Sequence, residues 1–104
     1  MIRARLQVPT ENVDAFCRKW KIAEMALFGS VLREDFRPDS DIDVLVSFEG
    51  DAPWDLWNLI AMQDELSEMF GRDVDLVEKK NLVNPFRRHA ILSSKQVIYA
   101  AARP

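Results

Sequence analysis

Asp41 and Asp43 stand two residues apart where an apolar run begins, Asp41-Ile42-Asp43-Val44-Leu45-Val46. On a strand, that spacing puts both carboxylates on one face and Ile42 and Val44 on the other. Their Cα atoms would lie roughly 7 Å apart. Two bare carboxylates at that separation repel by about 2 kcal/mol at an effective dielectric near 20. Asp35 and Asp39 add negative charge nearby. A hard cation relieves such crowding, and Mg²⁺ suits one or two carboxylates completed by substrate phosphates and water. Upstream, another apolar run ends in Phe28-Gly29-Ser30. Gly29 has no Cβ and lets a ligand or a second backbone come close. Ser30 brings a hydroxyl, and the N–H groups after it, at the start of a helical turn, favour an anion. Arg33, about one helical turn on, can reach the same anion with a planar fork of donors. A phosphate grip and a cation grip would thus sit on neighbouring strands.

The elements that must position these groups are legible from periodicity. Thr10 is placed to cap a first helix running to about Lys21, with Val13, Phe16, Cys17 and Trp20 as its apolar stripe. Cys17 reads as a small core residue rather than a reactive thiol, because no histidine or ligand spacing accompanies it. Residues 22–28 form a strand, and the run after Asp41 continues as a strand to Phe48. Glu49-Gly50-Asp51-Ala52-Pro53 is a loop, with Asp51 or Pro53 marking the start of a helix over residues 54–69. Leu56, Leu59, Met62, Leu66 and Met69 make its core stripe. Trp54, Trp57 and Ala61 make a second stripe, either a widening of the buried face or an anchor for a partner. Gly71 ends that helix. Residues 72–77 form a third strand, with Val74 and Leu76 facing one way and Asp73 and Asp75 the other. If this strand lies beside Asp41 and Asp43, one of its aspartates joins them. Asn84-Pro85 opens a third helix to about Ser93. It carries Arg87, Arg88 and His89, a patch that is either a solvated face or turned toward a nucleotide or an acidic partner. Residues 96–100 form a last strand, with Tyr99 half-buried. The expected fold is α/β: one domain over residues 1–104, with residues 1–9 as an extended arm and a small mixed sheet of about four strands with helices packed mainly on one face.

Composition narrows the function classes. A chain of 104 residues builds one core, and 48% hydrophobic with 30% charged residues is ordinary for a globular protein. A net charge of −3 argues against a general nucleic-acid binder. A single cysteine excludes an internal disulfide. No apolar run approaches the roughly 20 residues that span a bilayer, and the start lacks a signal-peptide core, so a cytoplasmic protein is expected. His89 is the one histidine, which excludes a histidine-based metal site. Asp39, Asp41 and Asp43 match the first ligands of a calcium loop. That loop would need glycine where Val44 stands and glutamate where Gly50 stands, so the match fails.

Gly29-Ser30 followed by Asp41-Ile42-Asp43 between two apolar runs resembles the signature of the DNA-polymerase-β-like nucleotidyltransferase superfamily. The short chain and the run from Arg37 to Val46 resemble its smallest members, the minimal nucleotidyltransferase (MNT) domain antitoxins, and the likeness extends from about Val13 to Tyr99. Glu34 departs from the glycine that often follows the arginine. The resemblance implies a polymerase-β-like fold. It implies Mg²⁺, as two ions, held by Asp41, Asp43 and Asp75, the last selected by its Val-Asp-Leu context. It implies ATP as substrate, with Gly29 and Ser30 on the β- and γ-phosphates and Arg33 in support. It also implies transfer of AMP to a tyrosine of a HEPN-type RNase toxin, which silences the toxin, with no stable nucleic-acid binding and no membrane. Two other functions remain open at this point. One is an antitoxin that neutralises by contact alone. The other is a small-molecule (antibiotic) nucleotidyltransferase, which would need a homodimer or a second subunit in place of an added helical domain.

Overall fold

The structure, a computed structural model, describes residues 8–32, 41–50 and 52–101. Arg33, Glu34, Asp35, Asp39, Asp51 and residues 1–7 of the arm lie outside the described residues. The chain order is α1 (Thr10–Lys19), β1 (Ile22–Phe28), a short 3-10 turn (Gly29–Leu32), β2 (Ile42–Phe48), α2 (Leu56–Phe70), β3 (Val74–Glu78), a second 3-10 turn (Lys79–Asn81), α3 (Pro85–Ser94) and β4 (Gln96–Ala100). The four strands form one mixed sheet in the order β3-β2-β1-β4. β1 is antiparallel to both β2 and β4, whereas β2 and β3 run parallel. The parallel pair requires a crossover, and α2 supplies it.

Two apolar clusters separate the faces of the sheet. Val13, Phe16 and Cys17 of α1 and Met62 and Leu66 of α2 pack with Ile22, Met25, Leu27, Ile42, Val44, Val46 and Val74. On the opposite face Phe28 and Leu45 meet Leu82 and Ile91, with Val77 and Leu92 beside them. Two helices therefore cover one face, while α3 covers part of the other. Asp43 and Asp75 lie in register with Phe28, at the end of β1 and near the starts of β2 and β3.

The helix ends correct several expectations. Thr10 is not a cap: α1 begins at Thr10 after Pro9 without a side-chain cap, and it ends at Lys19. α2 starts at neither Asp51 nor Pro53. Asp55 caps it, accepting from the Asn58 N–H at 3.0 Å while the Asn58 side chain accepts from the Asp55 N–H at 3.0 Å. This reciprocal box satisfies two donors the helix itself leaves open. Asp55→Ala should lower stability by about 1 kcal/mol, read as an earlier denaturant midpoint with an unchanged slope. Leu56, expected in the core stripe, is 66% exposed because it opens the helix, two turns ahead of the buried Met62. Trp54 and Trp57 separate. Trp54 packs edge-on against Trp20 at 5.0 Å between ring centroids and donates from Nε1 to the Trp20 carbonyl at 2.6 Å. Trp57 is 76% exposed. Asn84 caps α3 by accepting from the Phe86 and Arg87 N–H groups.

β3 is an edge strand, and α2 protects it. Ser67 Oγ accepts from the Val74 N–H at 3.0 Å and Gln63 Oε1 accepts from the Leu76 N–H at 2.9 Å. These side chains occupy donors that would otherwise template another strand. They also fix the height of β3 against α2, and with it the position of Asp75.

Cys17 is fully buried, and burial pushes its thiol from an ordinary value of 9.0 to about 12, with the Asp14 charge adding and the Arg18 charge opposing. The folded protein keeps that proton where the unfolded chain gives it up. Stability should therefore fall as pH rises from about 9 to about 12, and Cys17→Ala should remove that part of the slope in denaturant titrations.

Candidate active site

The site follows from strand register. Asp43, near the start of β2, pairs with Phe28 at the end of β1 and with Asp75 in β3. Registered neighbours in a sheet share a face. Two residues further along, Leu45 pairs with Val77, and both belong to the Phe28 cluster. Phe28, Asp43 and Asp75 therefore form a row across three strands, on the face opposite α1 and α2. Asp41 immediately precedes β2, one pleat before Asp43. Asp73 holds the matching place before β3, and its carbonyl accepts from the Ile42 N–H at 2.9 Å. Asp43 is half-buried, whereas Asp41, Asp73 and Asp75 are exposed.

Gly29 follows Phe28 directly and brings the turn over this row. Its φ of +77° lies in the left-handed region, which glycine enters without steric cost. A Cβ built there would sit 2.2 Å from Asp43 Oδ2 and 3.2 Å from its Cγ. The Asp43 carboxylate thus occupies the space a side chain at position 29 would need. Only glycine lets the chain turn away from β1 while the carboxylate lies against it. The backbone of Ser30 lies in the same 3-10 turn, Gly29–Leu32. The structure therefore brings Gly29, the backbone of Ser30, Asp41, Asp43 and Asp75 to one end of one sheet face, while Arg33 lies outside the described residues.

Among the described residues, no three acidic, histidine or cysteine side chains converge tightly enough to cage a cation by themselves. The donors that line the site are carboxylate oxygens on neighbouring strands, one of them set against a glycine where a Cβ would displace the carboxylate. That is the donor chemistry of Mg²⁺, which takes few protein carboxylates and completes its shell from substrate phosphates and water.

The basic patch of α3 divides. Arg88 donates from Nη1 to the carbonyls of Lys79 and Leu82 at 3.3 and 3.2 Å, whereas Arg87 and His89 are exposed. Arg88 is thereby drawn toward Lys79 and Lys80, two cations that strand periodicity alone did not mark. The adjacent lysines directly after a strand were the available signal. No helix among the described residues is long and apolar enough to cross a membrane.

Comparison with known proteins identifies the family. The nucleotidyltransferase-domain family model matches residues 11–98. A provisionally named protein adenylyltransferase of Methanocaldococcus jannaschii is 37% identical over 73 residues, 70% of this chain and 72% of that protein. The protein adenylyltransferase MntA of Thermococcus cleftensis is 32% identical over 81 residues, 78% of this chain and 77% of that protein. The fold is shared with a chain of the solved complex of a tri-AMPylated Shewanella oneidensis HEPN toxin and its MNT antitoxin. The TM-score there is 0.64 at 18% identity, over 88% of this chain and 70% of that one. With the family model spanning most of its length and two relatives above 30% identity, the chain belongs to the nucleotidyltransferase-domain family.

Proposed function

We propose that this protein is an Mg²⁺-dependent protein adenylyltransferase that acts as an antitoxin, transferring AMP from ATP to a tyrosine of a HEPN-type toxin. The observation that carries the reading is the Phe28–Asp43–Asp75 row under Gly29. It sets two carboxylates on adjacent strands beside a bend at which a triphosphate can approach backbone. Relatives named as protein adenylyltransferases, and the MNT antitoxin fold found with an AMPylated HEPN toxin, supply the reaction and the acceptor class.

In this reading, the bend at Gly29 and Ser30 receives the β- and γ-phosphates, with Arg33 in support. Asp41 and Asp43 would hold the Mg²⁺ ion, placing their negative charge beside the α-phosphate end of the site. Asp75 directs the acceptor hydroxyl. The tyrosine oxygen forms a bond to the α-phosphorus as the bond to the β-phosphate bridging oxygen breaks. Pyrophosphate leaves, and the hydroxyl proton passes to the acidic side of the site and on to water. Bound Mg²⁺ supplies the positive charge that favours the deprotonated acceptor and steadies the leaving pyrophosphate. The exposed position of Asp75 suits a residue that must meet a protein acceptor arriving from solvent.

The test is the intact mass of the co-produced partner after incubation with this protein, ATP and Mg²⁺. One or more AMP-sized increments are expected, and none would defeat the reading. Asp75→Asn should lower the rate by about 100-fold or more, a typical cost for losing one group that stabilises the transition state. Asp73→Asn, one pleat away, should leave it within about threefold. Equal losses in the two variants would remove Asp75 from its assigned role.

A further inference from the structure

A cavity lies at the other end of the parallel strand pair from the aspartate row. It has a volume of about 350 Å³ and is lined by Ser47, Trp54, Glu78, Lys79, Lys80 and Arg88, among others. Ser47 is four residues along β2 from Asp43, roughly 13 Å away at about 3.3 Å per residue. The aspartate row marks the amino ends of β2 and β3, whereas this cavity sits where their carboxyl ends stop. Crevices outside the carboxyl ends of parallel strands are common ligand sites in open α/β sheets.

The charge balance of the cavity is opposite to that of the chain. Among the described residues, three cations and one acid line it, in a protein of net charge −3. Glu78 is largely covered, with 15% of its side chain exposed, and its one ion pair among the described residues is with Lys80 at 3.6 Å. Lys79 has no ion-pair partner among the described residues. Arg88 is held by two backbone carbonyls through Nη1 alone, which fixes the guanidinium and leaves its remaining donors for another acceptor. Trp54, anchored on Trp20, adds an aromatic wall. A purely structural role accounts for Arg88 and for Lys80, but not for Lys79 or for a cavity of this size beside them. The volume is at the lower end of the range for small-molecule sites.

We infer that this cavity is an anion site, separate from the aspartate row, that takes a phosphate-bearing ligand no larger than a mononucleotide. Lys79 and Arg88 hold the phosphate, Ser47 donates to it, and Trp54 bounds the remainder. The site needs no divalent cation, because protein cations supply the positive charge. It does not rest on the transfer reaction proposed above, and each can fail without the other.

Amide chemical-shift titration of the whole protein tests it, in metal-free buffer containing a chelator, with AMP in one arm and inorganic phosphate in the other. The expected result is saturable shifts at Ser47, Lys79, Lys80 and Arg88, with Gly29 and Asp43 unmoved. A tighter fit for AMP identifies a nucleotide as the source, and equal affinity identifies free phosphate. Lys79→Ala should weaken binding roughly tenfold, as expected for one charge-assisted contact. Because Lys79 is only half-buried, that variant should fold, and its unperturbed spectrum elsewhere is the control. Absence of saturable shifts, shifts confined to the Gly29 end, or unchanged affinity in Lys79→Ala would each overturn the inference.

Discussion

Asp43→Asn is expected to reduce AMP transfer by about 100-fold to 1,000-fold, roughly 3 to 4 kcal/mol of transition-state stabilisation, while the protein stays folded. Asp43 is the residue at which the whole arrangement meets. It pairs with the last residue of β1 and with Asp75 of β3, and its carboxylate lies against the turn at Gly29. Asparagine keeps the shape and loses the charge, so it removes a carboxylate that would hold Mg²⁺ and leaves the packing of β2 in place. The informative comparison is single-turnover transfer rate against thermal midpoint. A large loss of rate with an unchanged midpoint places the residue in the chemistry. If the rate survives at near its original value, Asp43 has no part in the chemistry; if transfer is lost and the partner is still neutralised, contact alone suffices.

Gly29→Ala is expected to cost both stability and activity, for one geometric reason. At a φ of +77° an alanine carries the left-handed penalty of about 1 to 2 kcal/mol. Its methyl group would stand 2.2 Å from Asp43 Oδ2, so one of the two must move. The carboxylate end of a short side chain moves more readily than the backbone of a turn. The main damage should therefore fall on the position of that carboxylate. A displacement near 1 Å in a catalytic group can cost about 100-fold in rate. The expected pattern is a modest fall in denaturant midpoint and a loss of transfer approaching that of Asp43→Asn. The double variant should be barely worse than either single one, because both act through the same carboxylate. Fully additive losses would mean that Gly29 contributes independently of Asp43.

Much of the architecture was legible beforehand because its signals were local. The strand of residues 22–28 and the strand of residues 96–100 appear with the bounds their apolar runs suggested. Asn84-Pro85 opens α3, and Gly71 closes α2 with a φ of +73°, because each obeys a local capping rule. The start of α2 was misplaced since Pro53 and Asp51 are stronger turn signals than the Asp55-x-x-Asn58 pair that does the capping. Thr10 has the side chain of a cap but lies inside the helix that Pro9 precedes. Leu56 shows why periodicity overestimates a core: a stripe continues past the last turn that the sheet can cover. Trp54 and Trp57 shared a stripe on paper, yet only Trp54 finds a partner, in Trp20, which lies far away in sequence.

The candidate site was partly legible for a different reason. Alternation puts Asp41 with Asp43, and Asp73 with Asp75, on common faces, but no local rule says that β3 lies beside β2. Strand order and register come from the crossover through α2 and from the hydrogen bonds by which Ser67 and Gln63 hold β3. The contact between Gly29 and the Asp43 carboxylate is likewise a tertiary fact. The cavity at Lys79, Lys80 and Arg88 needed two elements to meet, and neither alone marks it.

The most direct measurement follows the label from ATP carrying isotope on either the α- or the γ-phosphate, incubated with this protein, Mg²⁺ and the partner. The account predicts that α-label is retained on the partner, that γ-label is released as pyrophosphate, and that Asp43→Asn slows both by about 100-fold or more. Retention of γ-label on the partner, or α-label transfer undiminished in Asp43→Asn, would contradict it.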